Sequence, residues 1–226
     1  MPRARALLAW SGGKDAAWAL QTLRARADVE VVGLMTTVTA GRDEAAMQGV
    51  HVDVLRAQAR ATGLPLIESR IAAGAGNPAY EAAFAQALAT ARARWPELTM
   101  IAFGDLFLAD IRAWREALCA RLGWQACFPL FGRHTTGLAR EMQAAGLRAS
   151  LCCVDTTQLD ADFSGRDFDA ALLEALPAHV DPCGERGEFH TCVHAGPMFA
   201  EPLALLRGDT ALRDSRFACT AFSAGG

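Results

Sequence analysis

From Arg5 to Leu122 the chain alternates short apolar runs with stretches of helical length and period. That alternation restricts the fold more than any other feature. Arg5 to Trp10 reads as a short buried strand, and Asp15 to Arg26 as a helix with Ala16, Ala19, Leu20 and Leu23 on its apolar face. Val29 to Thr37 is β-branched and apolar, a second buried strand. Ala45 to Thr62 is helical, with Val50, Val54, Leu55 and Ala61 on one face, and Gly63 and Pro65 end it. A strand over Leu64 to Ser69 follows, then a Gly-rich loop over Ala72 to Pro78. A helix over Pro78 to Trp95 comes next, then a strand over Leu98 to Phe103 that ends at Gly104-Asp105, and a helix over Leu108 to Leu122. A βαβα series of this kind predicts an α/β fold, a parallel doubly wound sheet with helices on both faces. Ligands in such sheets bind beyond the carboxyl ends of the strands. Ser11 to Asp15, the polar loop Thr36 to Asp43, and Gly104-Asp105 all fall there.

The texture changes near Phe128. Phe128-Pro129-Leu130-Phe131 precedes a helix near Thr136 to Ala145 and a strand near Arg148 to Val154. A short helix over Phe168 to Leu176 follows. The tail from Thr191 to Phe222 has strand-like pieces around Gly196-Pro197 and Gly208-Asp209. Two domains are expected: 1–128, carrying the parallel sheet, and 129–226, a smaller α+β domain.

Of the 22 lysines and arginines, one is a lysine, and it sits in Ser11-Gly12-Gly13-Lys14-Asp15 between the first strand and the first helix. A compact ammonium meets a phosphate as a point charge where a planar guanidinium fits poorly. Two glycines let backbone N–H groups approach an anion, and the helix N-terminus adds its dipole. A Walker loop would need a glycine where Leu8 stands. A strand, then S-G-G-K-D, then a helix resembles instead the PP-loop of ATP pyrophosphatases, enzymes that cut ATP to AMP and pyrophosphate. Ser11, Gly12, Gly13, Lys14 and Asp15 are therefore candidate nucleotide-binding residues. Gly104 and Asp105 join them; Asp105 is a metal or nucleotide partner or else a helix cap.

A second constellation, Asp181 to Thr191, gathers carboxylates, an imidazole and a hydroxyl on a loop with glycines at 184 and 187. Read alone it is a catalytic loop or a solvated acidic turn. The set Ser11 to Asp15, Phe103-Gly104-Asp105, Phe128-Pro129-Leu130, Gly165-Arg166, Asp181-Pro182-Cys183-Gly184-Glu185, Gly187 to Thr191 and Gly196 to Phe199 resembles the diphthine–ammonia ligase family. The match runs in order over nearly the whole chain. It implies a Rossmann-like, HUP-type nucleotide domain and a smaller domain completing the site. It also implies use of ATP and Mg2+. The family adenylates the diphthine carboxylate on elongation factor 2, and ammonia then displaces AMP to leave an amide. Lys14, Glu185, Glu188 and His190 are the expected catalytic residues. Glu185, Glu188, His190 and Thr191 are expected at the acceptor.

Three positions depart from the family pattern: Ala16 where Ser is usual, Gln48 where His is usual, and Arg186 where Asn is common. The Arg-rich, Lys-poor composition suits a GC-rich, bacterial genome, where diphthamide is not expected, so the acceptor can be another carboxylate. Net charge is −3, which offers no electrostatic case for nucleic acid and argues against a tRNA-modifying relative. No signal peptide or membrane span is read, and seven irregularly spaced cysteines predict reduced thiols in a cytoplasmic protein. A homodimer is one form open to it. Two rivals stand beside the ligase. One is a non-catalytic ATP- or AMP-binding regulatory module. The other is a zinc site from His190, Cys192 and His194, which share a strand face, with Cys183; no resident metal ligand is expected.

Overall fold

The computed structural model describes residues 3–45 and 49–225. The first half forms β1 (Ala4–Ala9), α1 (Lys14–Arg24), β2 (Val29–Thr39), β3 (Glu44–Ala45), α2 (Val52–Thr62), β4 (Leu66–Ile71), α3 (Asn77–Arg94), β5 (Met100–Ala102), α4 (Ala109–Arg121) and β6 (Gln125–Cys127). Five strands are parallel. β1 lies between β2 and β5, β4 adds to β2, and β6 adds to β5. The chain moves outward from β1 through β2 to β4, then returns to the other side of β1. The order therefore reverses between β1 and β5, and that is where a crevice opens. β3 pairs antiparallel with the end of β2 and makes the sheet mixed.

Both faces of the sheet are covered, so the middle of β1, Ala6 to Leu8, is buried. Ala6 and Leu8 face α1 and α2, packing with Leu20, Leu23, Val54 and Leu55. Leu7 faces the other way, with Met35, Ile101 and Phe103, against Phe84 and Leu88 of α3 and Leu118 of α4. A strand buried on both faces reads as a continuous apolar run, which is how β1 reads.

The second half forms α5 (Thr135–Ala144), β7 (Arg148–Asp155), α6 (Ala170–Ala175), β8 (Phe189–Ala195), β9 (Leu205–Arg213) and β10 (Phe217–Ala224). Its sheet is antiparallel, in the order β8-β7-β10-β9. The molecule is thus a helix-flanked, Rossmann-like sheet with a smaller antiparallel β-sheet domain. One face of the second sheet, through Ala149, Leu151, Phe189 and Val193, joins the core built on α1 and α2.

The structure moves several expected boundaries. β2 continues through Thr39, and α2 begins at Val52 with His51 as its N-cap, because Ala45 is drawn into β3. β6 was not expected; Gln125, Ala126 and Cys127 lack a strand pattern and are held by pairing with β5. Gln48 lies outside the described residues. Cys153 and Cys219 face each other across β7 and β10, Cα atoms 4.1 Å apart, and form a disulfide. This corrects the expectation of uniformly reduced thiols: antiparallel register, invisible in sequence spacing, brings them together. Among the described residues no helix is long and apolar enough to cross a membrane.

Candidate active site

The glycine turn occupies the carboxyl end of β1 at the reversal point. Gly12 has φ +81°, and a Cβ there would lie 2.6 Å from Leu55 Cδ2, so both backbone and packing require glycine. Ser11 Oγ accepts from the Gly13 amide at 3.3 Å. The α1 amides begin here, and the first turn of a helix has no internal acceptors. Lys14 N–H donates to Thr191 Oγ1 at 3.0 Å. The amides of Asp15 and Ala16 have no acceptor among the described residues. Gly104, at the end of β5, faces them: a Cβ on Gly104 would lie 2.9 Å from Ala16 N. Glycine at 104 lets the end of β5 pass close against that peptide, and helix amides without an internal acceptor are donors for an anion such as a phosphate. Ala16 itself is buried, its methyl in the core.

Lys14 is 2% exposed. Its Nζ donates to Asp15 Oδ2 at 2.8 Å and to the Cys183 carbonyl, between the rings of Phe168 and Phe189, whose centroids lie 5.6 and 5.5 Å away. Burial pushes the ammonium down, but Asp15 and the other neighbouring negative charges hold it above its ordinary range. The first half thus sends its lysine into the second half.

The 181–191 loop is organised by its own carboxylates. Glu188 is 1% exposed; Oε1 accepts from Asp181 N–H and Oε2 from Arg186 N–H, each at 2.9 Å. Asp181 Oδ1 accepts from Cys183 N–H at 2.9 Å, and Oδ2 from the Thr135 hydroxyl at 2.8 Å. Glu185 reaches across to the nucleotide half, where Oε1 accepts from the amides of Leu106 at 2.7 Å and Phe107 at 3.3 Å. Burial pushes its carboxyl up to about 7, against the pull of those amides, with Asp15 and Asp105 adding to the rise. Arg186 sits over the Phe107 ring at 5.3 Å. His190 is pushed down to about 4, by burial first and by Lys14 second, so its imidazole is neutral at neutral pH.

The structure therefore brings Lys14, Asp15, Gly104, Asp105, Glu185, Glu188 and Thr191 around one junction. Asp105 lies 2.9 Å from Arg115 Nε. Asp15 Oδ1 is buried with no hydrogen-bond partner. A magnesium ion held partly by phosphate oxygens needs only one or two such carboxylates, so Asp15 fits one. Among the described residues no group of three or more His, Cys, Asp or Glu could hold a metal ion by itself, which gives the zinc set no support.

Sequence reading missed Gln58. It is fully buried in α2, accepts from Trp10 Nε1 at 2.9 Å, and donates to Gly12 O at 3.0 Å and Val193 O at 2.7 Å. Val193 N–H also donates to Gly12 O, at 2.9 Å. One amide side chain thus joins the end of β1, the glycine turn and β8. The available signal was an amide on the stripe of Val54 and Leu55, where an apolar residue belongs.

Two family models cover this arrangement. The diphthamide synthase N-terminal domain matches residues 4–126, and the diphthamide synthase C-terminal domain matches residues 134–216. The diphthine–ammonia ligase of Schizosaccharomyces pombe is 27% identical over 212 residues, covering 86% of this chain. The chain spans 35% of the length of that relative. With both domain models matched in order, the first including the glycine turn and the second the 181–191 loop, the chain belongs to the diphthamide synthase family.

Proposed function

We propose that the protein is an ATP-dependent, AMP-forming ligase that converts a carboxylate to an amide with ammonia. One observation carries this reading: the family's C-terminal loop is tied to the glycine turn and to the end of β5, where two helix amides have no acceptor among the described residues. ATP would be held there through its phosphates by the amides of Asp15 and Ala16 and by Ser11, with Gly12, Gly13 and Gly104 giving backbone access. Asp15, and Asp105 behind it, would face the accompanying Mg2+. The acceptor carboxylate attacks the α-phosphorus of ATP and pyrophosphate leaves. AMP is a better leaving group than hydroxide, so ammonia can then attack the acyl adenylate, forming the amide and releasing AMP.

In this reading Lys14 places a buried positive charge behind the turn, where it favours charge developing on the departing pyrophosphate. Glu185, with a carboxyl near neutrality, takes the proton that the attacking amine must lose. His190 stands by as a neutral imidazole. Glu188 and Thr191 act on the acceptor by holding the loop in shape. The chain divides its work between 1–128 for nucleotide and 129–226 for acceptor, in the cytoplasm. The acceptor is a diphthine-like carboxylate on a protein resembling elongation factor 2, or another carboxylate in a bacterium.

The test is product analysis with ATP, ammonium and candidate acceptors. AMP, pyrophosphate and an amide are expected; ADP and phosphate as main products would overturn the reading. A regulatory ATP-binding module is the second reading, favoured by the missing hydroxyl at Ala16. Nucleotide binding with no AMP formed from any acceptor would select it.

A further inference from the structure

Successive β8 side chains alternate between faces. Thr191 and Val193 belong to the face that meets the glycine turn, and His194 belongs to the opposite one. On that outer face lies a cleft of about 610 Å³, a volume suited to a small molecule. No residue of the glycine turn, of Gly104-Asp105 or of the 181–191 loop lines it.

The cleft carries charge of both signs. Arg166 and Arg207 line it, and neither has a carboxylate partner among the described residues. Arg166 rests on the Phe163 ring at 4.6 Å. Arg207 lies over Gly165: a Cβ there would stand 2.4 Å from a guanidinium nitrogen, so glycine makes its seat. The opposite charge comes from Asp167 and Asp169. Asp167 Oδ1 accepts from the Ser150 hydroxyl at 2.9 Å, and Asp169 Oδ1 from Leu172 N–H at 2.8 Å. Each has its other oxygen uncommitted among the described residues. The floor is apolar, from the partly buried Leu203, Leu205 and Phe222. Two free guanidiniums call for a carboxylate, and two half-used carboxylates call for an ammonium. A nucleotide or other polyanion would set its charge against Asp167 and Asp169.

We propose that this outer cleft binds a free α-amino acid with an aliphatic side chain. Its carboxylate meets Arg166 and Arg207, its ammonium meets Asp167 and Asp169, and its side chain lies on the apolar floor. This holds whether or not the proposed ligase activity does.

Calorimetric titration of the full chain with L-leucine, 4-methylpentanoate and 3-methylbutylamine tests it. The last two lack the ammonium and the carboxylate respectively. L-leucine is expected to bind with a submillimolar Kd and each analogue at least tenfold more weakly. Arg207→Met should weaken L-leucine at least tenfold while leaving ATP binding unchanged. The His194 ring resonances should shift with L-leucine in the unmodified protein, a readout independent of any variant's folding. Equal binding of 4-methylpentanoate and L-leucine, or no shift of His194 at millimolar L-leucine, would overturn the proposal.

Discussion

The glycine turn and the 181–191 loop meet at one junction but are built in opposite ways. The turn leaves backbone donors unused: the amides of Asp15 and Ala16 have no acceptor among the described residues. In the loop, by contrast, the buried carboxylates Asp181 and Glu188 are fully engaged. Both oxygens of Glu188 and both of Asp181 are taken by nearby donors. A row of carboxylates in a glycine-hinged loop therefore need not be a row of catalysts. Here most of it is scaffold, and Glu185 alone reaches across to the other half.

The largest effect expected from breaking this contrast is at Lys14, which belongs to both regions. Lys14→Ala leaves Asp15 and the Cys183 carbonyl without their cation, and losing one partner of a buried ion pair costs about 3–5 kcal/mol. AMP formation should fall by about 100-fold or more (~2.7 kcal/mol of barrier). Lys14→Arg should restore little, since the larger guanidinium would have to enter a buried site already closed around Nζ by Asp15 and the Cys183 carbonyl. Urea melts with an AMP assay check both. Full activity in Lys14→Ala would remove the lysine from the chemistry.

Gly104→Ala tests the open amides. Its Cβ would press on Ala16 N from 2.9 Å and cover the donors. Crowding of this kind costs about 1–3 kcal/mol. Nucleotide affinity should drop by about 10- to 100-fold (roughly 1.4–2.8 kcal/mol), alongside a fall in the unfolding midpoint that reports the crowding. Unchanged ATP binding by calorimetry would mean that phosphate sits elsewhere.

At Glu188 the expected loss is in the loop. Glu188→Leu strands the Asp181 and Arg186 amides and should destabilise by about 2–6 kcal/mol, at roughly 1–3 per orphaned group. Glu188→Gln keeps one acceptor and should lose about half of that. Both should retain ATP binding within a few-fold while amide formation falls. Loss of ATP binding in a folded Glu188→Gln would assign the loop to the nucleotide.

Much of the first half was legible because local patterns and tertiary packing agree there. β1, α1, α3 and α4 lie within a few residues of their apolar runs. The exceptions arise where pairing overrides pattern: β6 exists through β5, and Ala45 leaves the predicted helix for β3. The two halves of the site were also visible, one in Ser11 to Asp15 and the other in Asp181 to Thr191. What each side chain touches was not visible. Nothing in the residue order indicates that the hydroxyl of Thr191 caps α1, 177 positions earlier, or that Gln58 joins three segments. Those bonds depend on how two sheets are laid together. The disulfide belongs to the same class, since cross-strand register pairs residues 66 apart.

Glu185 sharpens the contrast most, because it is the loop carboxylate that reaches across to the other half. Burial raises its carboxyl to about 7 in the folded chain, above the unfolded value near 4.5. Between those two values the folded state holds the extra proton. Stability therefore falls as pH rises from about 4.5 to 7 and levels off above. A general base behaves in the opposite sense: its ionised form is active, so amide formation should rise through the same window with a midpoint near 7. Glu185→Gln keeps an oxygen for the Leu106 amide and carries no proton to lose. It should flatten the stability slope and remove the rise in rate together. Urea midpoints and single-turnover rates at half-unit pH steps measure both. If the variant loses the stability slope but keeps the pH–rate midpoint, Glu185 is a tether between the halves and another group is the base.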